Sequence, residues 1–258
     1  MIDASCWWGQ WPFSIMGQVS LAGTARRLRE AGVKHALISP IRAVLAPDAA
    51  TCNRDLLAEV RNLDASMPED FRFSLVPVVN PALPGWRVQL NDLLDDAGPL
   101  VAGVKIIPNY HQFDLGDGRV SELARMCQAR NLPLCIQVRV QDERSHHPLL
   151  KVPGVDIQSI LSLATTHPGT RMLVCGAYNA ELPRLATAPN IHVEISFVES
   201  IDTLAVAIAS FDAKRLLLAT NVPVHDPAPS VAKLVTDPSL ASAVQDIASG
   251  NARRLFHL

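Results

Sequence analysis

The chain has 258 residues, 48% hydrophobic and 19% charged, with a formal net charge of -2 at pH 7. That length suits one closed α/β barrel, which commonly takes roughly 250 residues, and the apolar content is ample for one large core. A near-neutral charge without any Lys/Arg block excludes a nucleic-acid surface or an anionic membrane as partner, leaving small molecules, proteins or further copies of the chain in a homo-oligomer.

The opening Met1-Ile2-Asp3-Ala4 lacks a basic segment followed by an apolar one, so no signal peptide is expected. Apolar runs such as residues 204–209 fall far short of the roughly 18 to 20 needed to cross a bilayer. Five cysteines (Cys6, Cys52, Cys127, Cys135, Cys175) form an odd, scattered set, which fits a reducing cytoplasm. No repeat, low-complexity tract or linker divides the chain, so residues 1–258 are read as one domain.

In chain order, short β-branched runs alternate with segments of helical period. A strand over 2–6 leads to a helix over 21–31, whose apolar residues Leu21, Ala25, Leu28 and Ala31 share a face and which Gly32 closes. Strands then follow at 35–39, 71–79, 101–107, 132–138, 171–175, 191–196 and 215–220. The helices between and after them span 50–63, 87–94, 121–130, 157–165, 180–186, 201–211 and 229–235. Gly, Pro, Asn or Asp bounds each one. Runs such as Leu134-Cys135-Ile136 are apolar on both faces, as expected of strands covered by helices outside and packed side chains inside. Eight such units, with no Gly-rich dinucleotide fingerprint after the first strand, predict a single-domain (β/α)8 TIM barrel rather than an open doubly wound sheet.

A barrel carries its chemistry at the C-terminal ends of its strands. Here those ends offer Ser5, Trp7 and Trp8; Ser39 and Arg42; Asn80; Lys105, Tyr110 and His111; Gln137, Arg139 and Asp142; Cys175, Tyr178 and Asn179; Glu194 and Ser196; Asn221 and His225. Alternation puts Gly103, Lys105 and Ile107 on one face, Cys135, Gln137 and Arg139 on another, and His192, Glu194 and Ser196 on a third. A Lys or Glu inside an apolar strand must be paired or lie in a wet cavity, so Lys105 and Glu194 are expected either to satisfy each other or to serve a site.

Each feature also has a plain structural reading. His146-His147 precedes Pro148 in a long loop, where a surface role is expected, although the whole segment 141–148 is dense in ionisable groups. Trp7 can plug the barrel as readily as stack on a ligand. Cys175 is read as a buried small hydrophobe before it is read as a nucleophile.

Several motifs together resemble the class 2 branch of the amidohydrolase superfamily. Residues 1–9 are similar to its first strand, Ile-Asp-x-His-x-His. The likeness continues through residues 53–60, Phe71-Arg72-Phe73, Val78-Val79-Asn80-Pro81, Gly103-Val104-Lys105-Ile106-Ile107-Pro108 and Leu132-Pro133-Leu134. It resumes at Leu216-Leu217-Leu218-Ala219-Thr220 and at Gly250-Asn251-Ala252-Arg253-Arg254-Leu255. The departures are as informative. Where the resemblance implies two metal-binding histidines on the first strand, this chain has Ser5 and Trp7. The fifth-strand histidine is Gln137, the sixth-strand histidine Cys175, and the eighth-strand aspartate Asn221, whose amide does not titrate and cannot act as a base.

Three readings follow from the resemblance. The first is a hydrolase acting without the usual metal on a small organic acid, lactone or ester. Its catalytic candidates are Lys105, Glu194, His111 and Asp142, with Ser5, Trp7, Tyr110, Gln137, Arg139, Arg144 and Asn221 binding the substrate; no metal ligand is assigned and no cofactor is expected. The second is a non-catalytic protein holding a small anionic ligand or a protein partner. The third is a hydrolase or decarboxylase with a relocated metal such as zinc, drawing on Asp3, His111, His146, His147 and His225.

Overall fold

The computed structural model describes residues 1–13, 20–63 and 70–258. Its strands are β1 (Ile2–Trp8), β2 (His35–Pro40), β3 (Arg72–Leu75), β4 (Val104–Ile106), β5 (Leu134–Gln137), β6 (Met172–Cys175), β7 (Ile191–Glu194) and β8 (Leu216–Leu217). All pair in parallel, in the orders β1-β2-β3 and β4-β5-β6-β7-β8. Backbone hydrogen bonds join these two runs at both seams. Ala102 N to Leu75 O (2.9 Å) and Lys105 N to Pro77 O (2.8 Å) link β3 to β4. Ala4 N to Leu218 O (2.8 Å) and Trp7 N to Val222 O (2.7 Å) link β1 to the chain after β8. The ring is therefore closed, a (β/α)8 barrel in one domain.

The surrounding helices are α1 (Leu21–Glu30), α2 (Ala49–Arg61), α3 (Trp86–Ala97), α4 (Pro108–His111), α5 (Gly118–Ala129), α6 (Ile157–Thr166), α7 (Leu182–Leu185), α8 (Thr203–Ser210), α9 (Pro227–Ala232), α10 (Ala241–Gln245) and α11 (Asn251–Phe256). Ser20, Asp48, Asp117, Asp156, Asp202 and Asp226 each accept a hydrogen bond from a backbone N–H in the first turn that follows, which fixes where these helices begin. Gly32 follows α1 at φ +88°, a left-handed geometry that a glycine adopts without strain.

Several boundaries differ from the sequence expectation. The strand expected over 71–79 ends at Leu75, because Pro77 has no N–H for the ladder; pairing resumes only as a bridge at Val78. The helix expected over 180–186 is a 3-10 turn, Asn179–Glu181, leading into a four-residue α7 that carries Pro183 in its first turn. The C-terminal elements α10 and α11, separated by a π turn at Asp246–Gly250, have no counterpart among the helices expected from the sequence.

Period-two alternation sorts the core into layers. Val104, Ile106, Leu134, Ile136, Met172, Val174, Ile191 and Val193 face outward into the shell under the helices. Ile2, Ala4, Leu37, Val76, Cys135, Leu173 and Leu217 fill the barrel floor, which Leu255 and Phe256 of α11 close from below. Nearer the mouth, Trp7, Trp11, Ile41, Val78, Ile107 and Val140 form a separate apolar cluster. Between floor and mouth lies a belt of buried polar side chains.

One member of that belt ties the β1–β8 seam. Asp3 is fully buried; its Oδ1 accepts from Ser5 N (3.1 Å) and Thr220 N (3.0 Å), and its Oδ2 from the Thr220 hydroxyl (2.5 Å). Burial nevertheless raises the carboxyl to about 7, outweighing those three donors. Because the folded-state value lies above the unfolded one, the stability this group supplies is complete below about pH 4 and is lost as pH rises through 7. Urea melts should therefore show the Asp3→Asn variant gaining on wild type, by on the order of a few kcal/mol, between pH 4 and pH 8. An unchanged gap across that range would mean that Asp3 stays ionised in the folded protein.

Candidate active site

A β-bulge places the first-strand residues. The β1–β2 register shifts between Asp3 and Cys6, so Ile2 and Ala4 point into the floor while Cys6 joins the outer shell and Trp7 the mouth cluster. Bulges re-aim side chains in this way. Ser5 consequently faces the interior, where its Oγ accepts a 2.9 Å hydrogen bond from the Lys105 ammonium. The same ammonium lies 4.0 Å from the centroid of the Trp7 ring, within the range of a cation–π contact. Lys105 is only 1% exposed and has no carboxylate within ion-pair distance among the described residues. The alternative that Lys105 and Glu194 satisfy each other is thereby corrected.

Glu194 instead meets three donors of its own, Gly176 N (2.5 Å), Ser196 N (2.6 Å) and the Ser196 hydroxyl (2.9 Å). Backbone N–H groups suit a carboxylate better than a mobile ammonium does, because they are fixed in place. Gln137 donates to Arg139 O (2.6 Å), and its buried Oε1 has no partner. Burial pushes the Cys175 thiol well above its ordinary pKa despite the nearby Lys105, so it is a neutral thiol and not a ready nucleophile.

Across the mouth, side chains fasten the loop after β5 to the opposite wall. Trp7 Nε1 donates to Asn221 Oδ1 (2.7 Å), and Asn221 Nδ2 donates to Val140 O (2.9 Å). Asn221 adopts φ +56°, a left-handed geometry for which asparagine is favoured among non-glycine residues. Trp11 Nε1 donates to Gln141 Oε1 (2.5 Å) in the same way. Arg139 is fully engaged. Its guanidinium reaches Glu143 (2.8 Å), both oxygens of Glu181 (2.7 and 2.8 Å) and Gly176 O (3.1 Å), and lies 3.9 Å over the Tyr178 ring. It secures the loop and is not free to clamp a substrate carboxylate.

Further out, Arg144 and Asp142 form a two-bonded pair at 2.9 and 2.7 Å through Nε and Nη2. Arg144 holds the Asp142 carboxyl below its usual range, and at 82% exposure it presents Nη1 to solvent. His225 follows β8. Its half-buried imidazole stacks 4.8 Å from Phe197 and has no hydrogen-bond partner on either nitrogen among the described residues. Burial first, then Lys233, holds its pKa below the ordinary value, with Glu199 and Asp142 opposing. Lys233 is itself anchored on Ile195 O (2.8 Å) and Ser196 O (2.6 Å). An open cavity of about 540 Å³ lies beside Lys233, lined in part by Glu199 and Thr203; His225 and Phe197 are not in its wall.

The remaining candidates spread around the rim. Tyr110 packs edge-on to Trp11 at 6.2 Å, and burial pushes its phenol up to about 12. His111 is tied by Nε2 to Ala43 O (2.8 Å), leaving Nδ1 buried without a partner. His146 and His147 accept from Val152 N and Leu149 N, folding their loop upon itself. Sequence reasoning did not anticipate Phe197, Glu199 or Lys233 beside His225. Only the position of His225 after the last strand pointed to that corner.

A divalent ion at the place the resemblance implies finds an unsuitable donor set. The Ser5 oxygen faces an ammonium, Trp7 offers only an N–H, the Asn221 oxygen is taken by Trp7, and Cys175 is held as a neutral thiol. Zinc sites need about three or four anionic or imidazole donors converging on the ion. Among the described residues no cluster of three or more His, Cys, Asp or Glu can hold a metal. Asp3, His111, His146, His147 and His225, weighed as a relocated set, do not converge.

The two rim arginines should separate by stability. Arg139→Ala leaves Glu181 and Glu143 without their buried cation and is expected to cost about 3 to 5 kcal/mol in urea melts, whereas Arg144→Ala should stay within about 0.5 kcal/mol of wild type. Equal losses would show that Arg144 also holds the loop.

Comparison with known proteins adds the lineage. An amidohydrolase family model matches residues 22–258. Among solved structures, 2,6-dihydroxybenzoate decarboxylase from Rhizobium superposes with a TM-score of 0.76 at 16% identity, covering 99% of this chain and 98% of its own. A dihydroxybenzoic acid decarboxylase from Polaromonas sp. JS666, with bound manganese and 2-nitroresorcinol, gives 0.71 at 16% identity, covering 100% and 96%. A 4-oxalomesaconate hydratase from Rhodopseudomonas palustris gives 0.68 at 13% identity, covering 91% and 79%. No curated protein matches by sequence. The match over nearly the whole barrel establishes that the chain belongs to the amidohydrolase family, whose structural neighbours include decarboxylases and hydratases of small organic acids.

Proposed function

We propose that the chain is a hydrolase of this family that opens a small lactone or ester of an organic acid at the C-terminal mouth, with protein side chains in place of a metal-activated water. The observation that carries this reading is the His225 imidazole, half-buried at the end of β8 with both ring nitrogens free of protein partners. A neutral imidazole can take a proton from water as the water oxygen attacks the ester carbonyl carbon. When the carbon–oxygen bond of the leaving group breaks, the imidazolium returns that proton to the departing alkoxide, giving a hydroxy acid or an acid and an alcohol. Arg144 supplies the anion contact through its outward Nη1, since Nε and Nη2 are held by Asp142.

The substrate class draws on the neighbours, whose names specify small carboxylates. In this reading Lys105 and Glu194 support the floor of the site and do not touch substrate, because Trp7 covers the ammonium and Glu194 is already bonded on both oxygens. Ser5, Gln137 and Asn221 belong to that same floor. The Lys105 ammonium among Ser5, Trp7 and Cys175 supports metal independence, since a cation already stands beside three of the positions that would bind one. The non-catalytic alternative is favoured by a different fact: Lys105, Glu194, Arg139 and Asp142 all have protein partners already.

A screen of carboxylate-bearing lactones and esters with EDTA-treated protein separates the readings. Turnover should survive chelation, fall off in acid at a pH below the usual histidine value as His225 is protonated, and drop roughly 10²- to 10⁴-fold in His225→Gln with an unchanged urea midpoint. Absence of turnover across the screen supports the non-catalytic reading; turnover lost to EDTA and restored by manganese, or indifferent to His225→Gln, contradicts the proposed site.

A further inference from the structure

Four consecutive strands are followed by side chains that meet in one column across the mouth. Arg139, after β5, lies 3.9 Å over the ring of Tyr178, after β6. Tyr178 meets the ring of Phe197, after β7, edge to face at 6.3 Å and 62°. Phe197 in turn meets the imidazole of His225, after β8, at 4.8 Å and 51°. Both ring separations fall in the range, roughly 4.5 to 7 Å, over which such pairs attract beyond their burial. The far end of the column is fixed: Glu143 and Glu181 hold the Arg139 guanidinium, and the Tyr178 hydroxyl accepts from Glu143 N at 3.2 Å.

Other histidines are oriented by a hydrogen bond at a ring nitrogen, His35 by Ser74 (2.8 Å), His111 by Ala43 O (2.8 Å) and His257 by Arg171 (2.7 Å). His225 has no such bond among the described residues. Its backbone N donates to Asn221 O (3.2 Å), which fixes the main chain and leaves the two side-chain torsions to be set by packing. The buried side-chain nitrogens and oxygens without a partner among the described residues belong to His111, Gln137, His167, Asn179 and His192, so both ring nitrogens of His225 are open to solvent. Exchanging water does not hold a ring in one plane. Glu199 and Asp142 act on the imidazole through charge and form no ion pair with it. Phe197 is left as the group that orients it. That ring is only 4% exposed, and Lys233 grips the carbonyls of the two residues before it, at 2.8 and 2.6 Å.

We propose that Phe197 is a positioning residue, whose ring sets the plane of the His225 imidazole and so aims a ring nitrogen at the attacking water. It acts through His225, since a ring so deeply buried has no face to offer a ligand. The inference rests on the assignment of His225 as the base of the proposed hydrolysis. A base needs its nitrogen within hydrogen-bond reach of the proton it takes, and a misplacement of about 1 Å costs on the order of 10²-fold in rate.

Side-chain relaxation measured by NMR on the full chain labelled at histidine tests this without any substrate, the His225 signal being the one that His225→Gln removes. An imidazole order parameter of about 0.85 is expected in wild type, falling below about 0.6 in Phe197→Leu and Phe197→Met, which fill most of the same space without a ring. Phe197→Tyr should restore it. The His35 signal, at the other end of the barrel, should stay as in wild type and shows that the fold is intact. On a substrate found by the lactone and ester screen, Phe197→Leu should lower kcat roughly 10- to 100-fold with KM within about twofold of wild type, and Phe197→Tyr should recover most of the loss. A rigid His225 in Phe197→Leu, a Phe197→Tyr variant as mobile as Phe197→Leu, or an undiminished kcat in Phe197→Leu where His225→Gln abolishes turnover would each overturn the assignment. Activity indifferent to His225→Gln, with the order parameters as expected, would instead remove His225 as the base and leave its orientation by Phe197 standing.

Discussion

The contact of the Lys105 ammonium with Ser5 and the Trp7 ring is the constraint around which the interior is arranged. A cation buried to 1% exposure loses several kcal/mol of hydration, and no carboxylate repays it here. Its compensation is a charge-assisted hydrogen bond of roughly 1.5 to 3 kcal/mol and a desolvated cation–π contact of about 2 kcal/mol. Both depend on the bulge in β1, which brings Ser5 and Trp7 inward from a strand whose earlier residues, Ile2 and Ala4, already face the floor. With a cation fixed there, a histidine, aspartate or thiolate at positions 5, 7, 137, 175 or 221 would serve the lysine before any bound ion. At those positions the chain has Ser5, Trp7, Gln137, the neutral thiol of Cys175 and Asn221.

From this centre the mouth is built by hydrogen bonds that leave little slack. Trp7 holds Asn221, Asn221 holds Val140, and Trp11 holds Gln141, so the loop after β5 is drawn over the barrel. Arg139 fixes that loop to the segment after β6 through Glu181 and Gly176. These commitments move the reactive possibilities outward, to His225, whose imidazole alone among the rim groups discussed is neutral, half-buried and unbonded on both nitrogens. The family scaffold is retained, and in the proposed reading the place where a side chain exchanges protons with a ligand lies in the loops above the strand ends.

Much of the fold was legible because barrel strands are short, apolar on both faces and spaced by helices that announce themselves with Asp or Ser caps. Leu134-Cys135-Ile136 and the Asp156 start of α6 are examples. The interior positions of Lys105, Gln137 and Glu194 also followed from period-two alternation. Their partners did not, because a bulge of one residue decides whether Ser5 or Ala4 meets Lys105, and neither side chain differs in any way that signals it. The His225 corner was harder still: Phe197, Glu199 and Lys233 come from separate loops, and only tertiary packing brings them to one place. Arg139 misleads for the opposite reason. A cation at a strand end resembles an anion clamp until Glu143 and Glu181 are seen to occupy it.

The central claim is that a lysine ammonium stands where the family scaffold otherwise holds an ion. Elemental analysis of untagged protein, grown with added zinc and manganese and then gel-filtered without chelator, tests it most directly. Less than about a tenth of an equivalent of any transition metal is predicted, because preformed sites of this ligand type retain their ion. Close to one equivalent, retained by wild type and released in Ser5→Ala or Asn221→Ala, would contradict it.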